Sequence, residues 1–258
     1  MSTNYIGQSV KRVEDKRFIT GNGRYTDDIK LPHMTYAHIV RSPYAHAKIL
    51  SIDKKQALKK EGVVAIYTGE DVAHIRGVPT GWVVNFKNGD TMKEPAHPLL
   101  VAVGSTVKHV GDSIAIIIAE TRAQARDAAD ELYIEYDVYP AIANAKAAVE
   151  DGAPLVHDDA PNNKCFDWEL GNPKAEVDAA IEASHHVTTL DFTNQRMSPN
   201  PIEPRSALGH YDEYVDKYTL YTTSQNPHLT RLLMCAFVLG IPEHKVRVVA
   251  PDVGGVFV

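Results

Sequence analysis

The stretch Ser113-Ile114-Ala115-Ile116-Ile117-Ile118-Ala119-Glu120-Thr121-Arg122-Ala123-Gln124-Ala125, continuing to Leu132-Tyr133-Ile134-Glu135-Tyr136, decides how the chain is read. Ser113 to Ala119 is a continuous apolar run of the kind that forms a strand buried on both faces. Thr121 and Gln124 then make a capping-box pair, in which each side chain can satisfy an orphan amide at a helix start. Ala125, Ala128, Ala129 and Leu132 fall on one helical face, while Arg126 and Asp130 are spaced to pair at i,i+4 on another. Tyr133 to Tyr136 alternates as a second strand, and Pro140 closes it. A strand–helix–strand unit is the expectation here.

Upstream of that unit, Gly7 to Lys30 is polar and glycine-rich, with Gly21-Asn22-Gly23 as a turn, and is expected to lie over a surface. Met34 to Val40 reads as a strand interrupted by Arg41-Ser42-Pro43, because proline cannot donate to a ladder. Ile49 to Ile52 is a second short strand. Asp53 can cap a helix over Lys54 to Lys60 that ends at Gly62, and Val63 to Tyr67 follows as a buried strand. Gly77 to Pro98, around Trp82, is irregular.

Downstream, Ala141 to Asn172 carries proline, glycine and acidic turns, and a domain boundary is placed within it. Asn172-Pro173 opens a helix whose apolar face is Val177, Ala180 and Ile181. His186 to Phe192 and Tyr218 to Thr223 read as strands. Asn226-Pro227 opens a last helix to Leu239, ended by Gly240 and apolar on more than one side, which predicts deep burial. Lys245 to Ala250 is a final strand, and it delivers the chain to Gly254-Gly255.

The bulk properties narrow the function. The chain has 258 residues, 44% hydrophobic and 23% charged, enough for one large domain or two smaller ones. A formal charge of -6 supplies no basic stripe, which argues against a nucleic-acid partner. No apolar run approaches the roughly 20 residues of a membrane helix, and the start lacks a secretory pattern, so a cytoplasmic protein without a membrane span is expected. Cys165 and Cys235 are far apart and read as reduced thiols. Two cysteines cannot supply the four thiolates of an iron–sulfur cluster, so any such cluster would sit on another chain.

Glycines directly after a strand let the backbone come close to a ligand, and successive amides can cradle an anion. Around Gly254-Gly255 this pattern has company: Thr223-Ser224-Gln225-Asn226-Pro227-His228, Leu239-Gly240-Ile241-Pro242, Val246-Arg247-Val248 and Pro251-Asp252-Val253. Other candidates are weaker. His185-His186 and His157-Asp158-Asp159 lack the i,i+4 spacing of a helical metal site and read as turn or surface residues. Glu203 and Arg205 could touch a substrate or form an ion pair, and His46 reads as a hydrogen-bonded structural histidine. No metal ligand is assigned. Gly21-Asn22-Gly23 lacks a full dinucleotide-binding fingerprint, and no nucleophile elbow or phosphate-binding P-loop is present.

Taken in order, these motifs resemble the N-terminal portion of the molybdopterin-binding large subunit of the xanthine dehydrogenase and aldehyde oxidase family. Gly21 to Asp28 and Val40 to Ala47 are similar to its opening, and His109-Val110-Gly111-Asp112 with Thr121-Arg122-Ala123 resembles its α/β hammerhead domain. Pro201-Ile202-Glu203-Pro204-Arg205 is similar to a signature of the carbon-monoxide-dehydrogenase-like branch. The resemblance implies an α+β fold: an N-terminal extension over residues 1–16, a hammerhead domain over 17–140, and the first part of a molybdopterin-binding domain over 141–258. It also implies a hydroxylase or dehydrogenase acting on aldehydes, N-heterocycles or carbon monoxide through a molybdenum–molybdopterin cofactor. FAD and iron–sulfur clusters would be carried by a medium and a small partner subunit.

By match, Gln225 would donate its amide beside the metal's oxo ligand, and Gly254, Gly255 and Phe257 would lie on a loop against the cofactor. The family's loop usually reads Gly-Gly-Gly-Phe-Gly, whereas Val256 and Val258 stand here, and a β-branched residue resists positive φ. The family's general-base glutamate lies beyond Val258, so no catalytic residue is assigned. These 258 residues alone are expected to bind little cofactor and to require the remainder of the large subunit. The alternative is a non-catalytic structural or interaction subunit, or the product of a broken gene that keeps the fold.

Overall fold

A computed structural model describes residues 5–77, 83–86, 88–93, 97–195 and 197–255. Trp82, Val256, Phe257 and Val258 lie outside the described residues. The chain divides into two compact units: residues 33–196, and a second unit that combines residues 1–32 with 197–258.

The first unit is organised by two three-stranded sheets. β1 (Tyr36–Arg41) and β3 (Val63–Thr68) flank β5 (Ser113–Ala119), all antiparallel. β2 (Ala47–Asp53) lies between β4 (Thr106–Val107) and β6 (Tyr133–Val138), also antiparallel. Because side chains alternate along a strand, β5 serves two cores. Ala115, Ile117 and Ala119 point into a cluster with Ile66, Ala125, Ala128 and Leu132. Ile114 points the other way, into a cluster with Ala47, Ile49, Val101 and Val107. That is the physical content of the unbroken apolar run. Entry to β5 is pinned by buried Asp112, whose carboxylate accepts the Lys108 amide at 3.0 Å.

The helix after β5 is α2 (Arg122–Ala129), and Thr121 is its N-cap, with Oγ1 accepting the Gln124 amide at 3.2 Å. The reciprocal half of the expected capping box differs: Gln124 Oε1 accepts the Thr121 hydroxyl at 2.9 Å. Three expectations for this unit need correction. The segment after Asp53 is only a 3-10 turn at Ala57–Lys59, because the Asp53 carboxylate closes a local turn on the Lys55 amide at 2.9 Å. β3 is half exposed rather than buried, with Val64 and Tyr67 facing outward from a flanking strand. His186 to Phe192 is exposed and belongs to no strand, because its run of strand-favouring residues finds no ladder partner among the described residues. The helix opened by Asn172-Pro173 is present as a 9-residue element, Lys174–Glu182, but buries none of its residues.

The second unit is built on a sheet of order β7-β8-β9: β7 (Ala207–Asp212), β8 (Lys217–Thr222) and β9 (Val246–Val249). β7 and β8 are antiparallel, whereas β8 and β9 run parallel. The crossover that a parallel pair requires begins with the helix Pro227–Leu233 and continues as a π-helical stretch, Met234–Leu239, ended at Gly240. The expected deep burial of this helix is not found. Leu229, Leu232, Phe237 and Leu239 are exposed and only Cys235 is buried, because the sheet covers a single side of it. A short helix missed by the sequence reading, α1 (Asp15–Ile19), precedes the Gly21-Asn22-Gly23 turn.

Candidate functional site

In the second unit, strand directions decide where a ligand can be met. β8 and β9 are parallel, with Tyr218 opposite Val246 and Tyr221 opposite Val249, so both carboxyl ends emerge at one edge. β7 is antiparallel to β8, with Ala207 opposite Thr222, so the residues just before β7 reach that same edge. Three segments therefore meet there: Glu203–Ser206, Thr223–Asn226 and Asp252–Gly255. The region beyond the carboxyl ends of parallel strands is a recurrent ligand position in α/β sheets, since backbone groups there have run out of ladder partners.

Contacts between the three segments are specific. The Gly254 amide donates to Glu203 Oε2 at 2.6 Å, and the Glu203 amide returns to the Gly254 carbonyl at 3.4 Å. The Thr223 hydroxyl donates to Glu203 Oε1 at 3.2 Å, and the Thr223 amide to the Ser206 carbonyl at 3.3 Å. A side chain at residue 254 would put its Cβ 2.5 Å from the Glu203 Cβ, so only glycine fits this approach. Gly255 has φ +144, a backbone region that other residues rarely adopt.

The turn into helix Pro227–Leu233 is closed by the Ser224 hydroxyl, which accepts the Asn226 amide at 3.1 Å and lies 3.1 Å from Thr230 Oγ1. That closure leaves Gln225 exposed at the bend between them.

The loop is also held from the amino-terminal side. Asp252 accepts a two-point contact from the Arg17 guanidinium, with Nη2 2.6 Å from Oδ1 and Nη1 on Oδ2. The Arg24 amide donates to Asp252 Oδ2 at 2.7 Å, and the Asp252 amide donates to the Arg24 carbonyl at 3.0 Å. Arg17 and then the Arg24 amide hold the Asp252 carboxyl down at a pKa of about 2. The polar segment expected to lie over a surface is thus tied to the residues before the glycine loop.

Of the residues assigned from sequence, Gln225, Gly254 and Gly255 come to this one edge, while Phe257 lies outside the described residues. Glu203 does not pair with Arg205, which is exposed; its partners are Gly254 and Thr223. This role was not legible, because the partner amide lies 51 residues downstream and carries no side-chain signal. His46 behaves as expected, with Nδ1 2.9 Å from the Pro140 carbonyl. His185 and His186 are exposed. Burial pushes the His157 imidazole down from its ordinary range.

The sequence model of the aldehyde oxidase and xanthine dehydrogenase a/b hammerhead domain matches residues 20–140. That of the molybdopterin cofactor-binding domain matches residues 156–257. The carbon monoxide dehydrogenase large chain of Afipia carboxidovorans is 33% identical, over 98% of this chain and 31% of its own length. The nicotine 6-hydroxylase large subunit of Paenarthrobacter nicotinovorans is 30% identical, over 100% of this chain and 30% of its own. The crystal structure of quinoline 2-oxidoreductase from Pseudomonas putida 86 superimposes with a TM-score of 0.80 at 33% identity, covering 98% of this chain and 31% of that one. The chain thus spans about a third of the length of these relatives.

The two matched models define a class of polypeptide in which an α/β hammerhead domain is joined to a molybdopterin-cofactor-binding domain. This chain belongs to the xanthine dehydrogenase and aldehyde oxidase family.

Proposed function

We propose that this chain forms part of a molybdenum-dependent hydroxylase or dehydrogenase, and that the β8/β9 edge is where its large subunit meets the cofactor. The observation that carries this reading is the convergence of Gln225, Gly254 and Gly255 on the carboxyl ends of one parallel strand pair. The residues there suit a molybdopterin. Gly254 and Gly255 form a backbone surface that a Cβ would fill or strain, and Gln225 offers an uncharged amide. Both carboxylates beside the loop are engaged, Glu203 by an amide and a hydroxyl and Asp252 by Arg17, which limits repulsion of an anionic pterin phosphate.

When bound, the molybdenum cofactor supplies two-electron oxidation with water-derived oxygen. Gln225 would present its amide to the metal's ligands, and Gly254, Gly255 and, from the sequence, Phe257 would shape the face the cofactor rests on. Electrons would pass to iron–sulfur clusters and FAD on small and medium partner subunits in the cytoplasm. The relatives named for carbon monoxide, nicotine and quinoline support carbon monoxide or an N-heterocycle as substrate, and the aldehyde oxidase named in the matched hammerhead model supports an aldehyde as a third class.

A second reading, a non-catalytic subunit that keeps the fold, is favoured by Val256 and Val258 in the loop sequence. Turnover separates the two. The full-length protein, co-expressed with its companion subunits in a host that makes the cofactor, is expected to reduce an artificial electron acceptor with at least one of the three substrate classes. A complex that contains molybdenum but oxidises none of them establishes the second reading instead.

A further inference from the structure

Between Glu203 and Gly254 the structure shows a clamp, and its geometry constrains what the glycine loop can offer a ligand. Glu203 stands two residues before Arg205 in an irregular segment, yet it faces the loop through three groups: its carboxylate, its amide and its Cβ. The 2.6 Å bond from the Gly254 amide is short for a backbone donor, as expected when the acceptor is charged. Thr223 holds the other carboxylate oxygen at 3.2 Å, so the carboxylate is anchored to the end of β8 while it grips the end of β9. One side chain thus bridges both strands whose ends form the site.

We propose that Glu203 is the positioning residue of this loop: its carboxylate, backed by Thr223, captures the Gly254 amide and sets the path of residues 252–255 across the edge. The proposal rests on the cofactor reading above and sharpens it. An amide that already donates to Glu203 does not also cradle an anion, so Gly254 contributes close approach rather than a hydrogen bond. This alters the simplest expectation for a glycine pair after a strand, in which successive amides serve the ligand. On the far side of Val253, Arg17 and the Arg24 backbone fix Asp252, so the loop is held on both flanks of one residue.

The test uses the full-length protein with and without cofactor, comparing wild type with Glu203→Ala, Glu203→Gln and Thr223→Val. Residue-resolved amide exchange at Gly254 is the first readout and molybdenum content per chain the second. A hydrogen bond to a charged acceptor protects strongly, so Glu203→Ala is expected to speed Gly254 exchange by about tenfold or more and to lower cofactor retention. Glu203→Gln keeps an oxygen for Gly254 and an amide for Thr223, and is expected to restore most of both. Thr223→Val should loosen the loop by a smaller factor.

The proposal is overturned if Gly254 exchanges at the wild-type rate in Glu203→Ala, or if Glu203→Gln is as defective as the alanine variant. Should the alanine variant unfold, exchange in Glu203→Gln and Thr223→Val decides the matter alone. A wild-type complex that takes up no cofactor sinks the functional reading, while Gly254 exchange in the cofactor-free protein still tests the clamp.

Discussion

Truncating Ile117 to alanine should be among the more damaging single changes available in the hammerhead unit. Ile117 is fully buried at the middle of β5, opposite His38 on one side and Ile66 on the other, and its side chain belongs to the core that α2 covers. The substitution removes three carbon atoms, worth about 0.8 kcal/mol each or roughly 2.4 kcal/mol in transfer. A cavity contribution raises the total to about 3–4 kcal/mol, within the range found for such truncations.

Ile118, on the opposite face and only half buried, should lose about half as much. Ile114 is equally buried but feeds the other core. Three residues along a strand separate Ile114 from Ile117, about 10 Å, so the double alanine variant should be additive to within about 0.5 kcal/mol. Urea unfolding followed by far-UV circular dichroism measures all four variants against wild type. A loss below about 1 kcal/mol at Ile117, or a double variant departing from additivity by more than about 1 kcal/mol, would refute the two-core reading of β5.

Other consequences follow from single contacts. Thr121→Ala deletes the cap on α2 and should cost about 1 kcal/mol; an unchanged melting temperature would show that the cap is idle. The Asp252 pKa of about 2 lies below the ordinary value near 3.9, so its contribution to stability is complete above about pH 4 and lost as pH falls toward 2. Protease cleavage within residues 5–32 should therefore rise over that window, and Arg17→Ala should flatten the response; a profile identical to wild type counts against the clamp at Asp252. Burial pushes the Cys235 thiol up, so it should react slowly with a thiol reagent at pH 8 while half-buried Cys165 reacts first. Equal rates would contradict the packing around Cys235.

Legibility followed the reach of each signal. β5, α2 and β6 could be read because an apolar run, a cap and an alternating strand are each written within a few residues. β7 escaped because Ala-Leu-Gly-His-Tyr-Asp has no alternating apolar face; it is a strand by virtue of its six-residue register with β8. His186 to Phe192 shows the converse, a run of strand-favouring residues with no ladder to join among the described residues. Apolar content along Pro227 to Leu239 marked a helix correctly but overstated its burial, since composition does not say how many sides a sheet covers. At the site, Gln225, Gly254, Glu203 and Asp252 all stand within motifs quoted from the sequence, but the contacts of Glu203 and Asp252 were not legible. Their partners are the Gly254 amide and the Arg17 and Arg24 groups, 51, 235 and 228 residues away respectively.

The central claim, that the β8/β9 edge belongs to a molybdopterin-binding subunit, is tested most directly by elemental and pterin analysis of the full-length protein purified with its companion subunits. About one molybdenum and one pterin per chain are expected, falling sharply in Gly254→Ala, whose added Cβ meets Glu203 at 2.5 Å. A well-folded complex containing neither molybdenum nor pterin would contradict it.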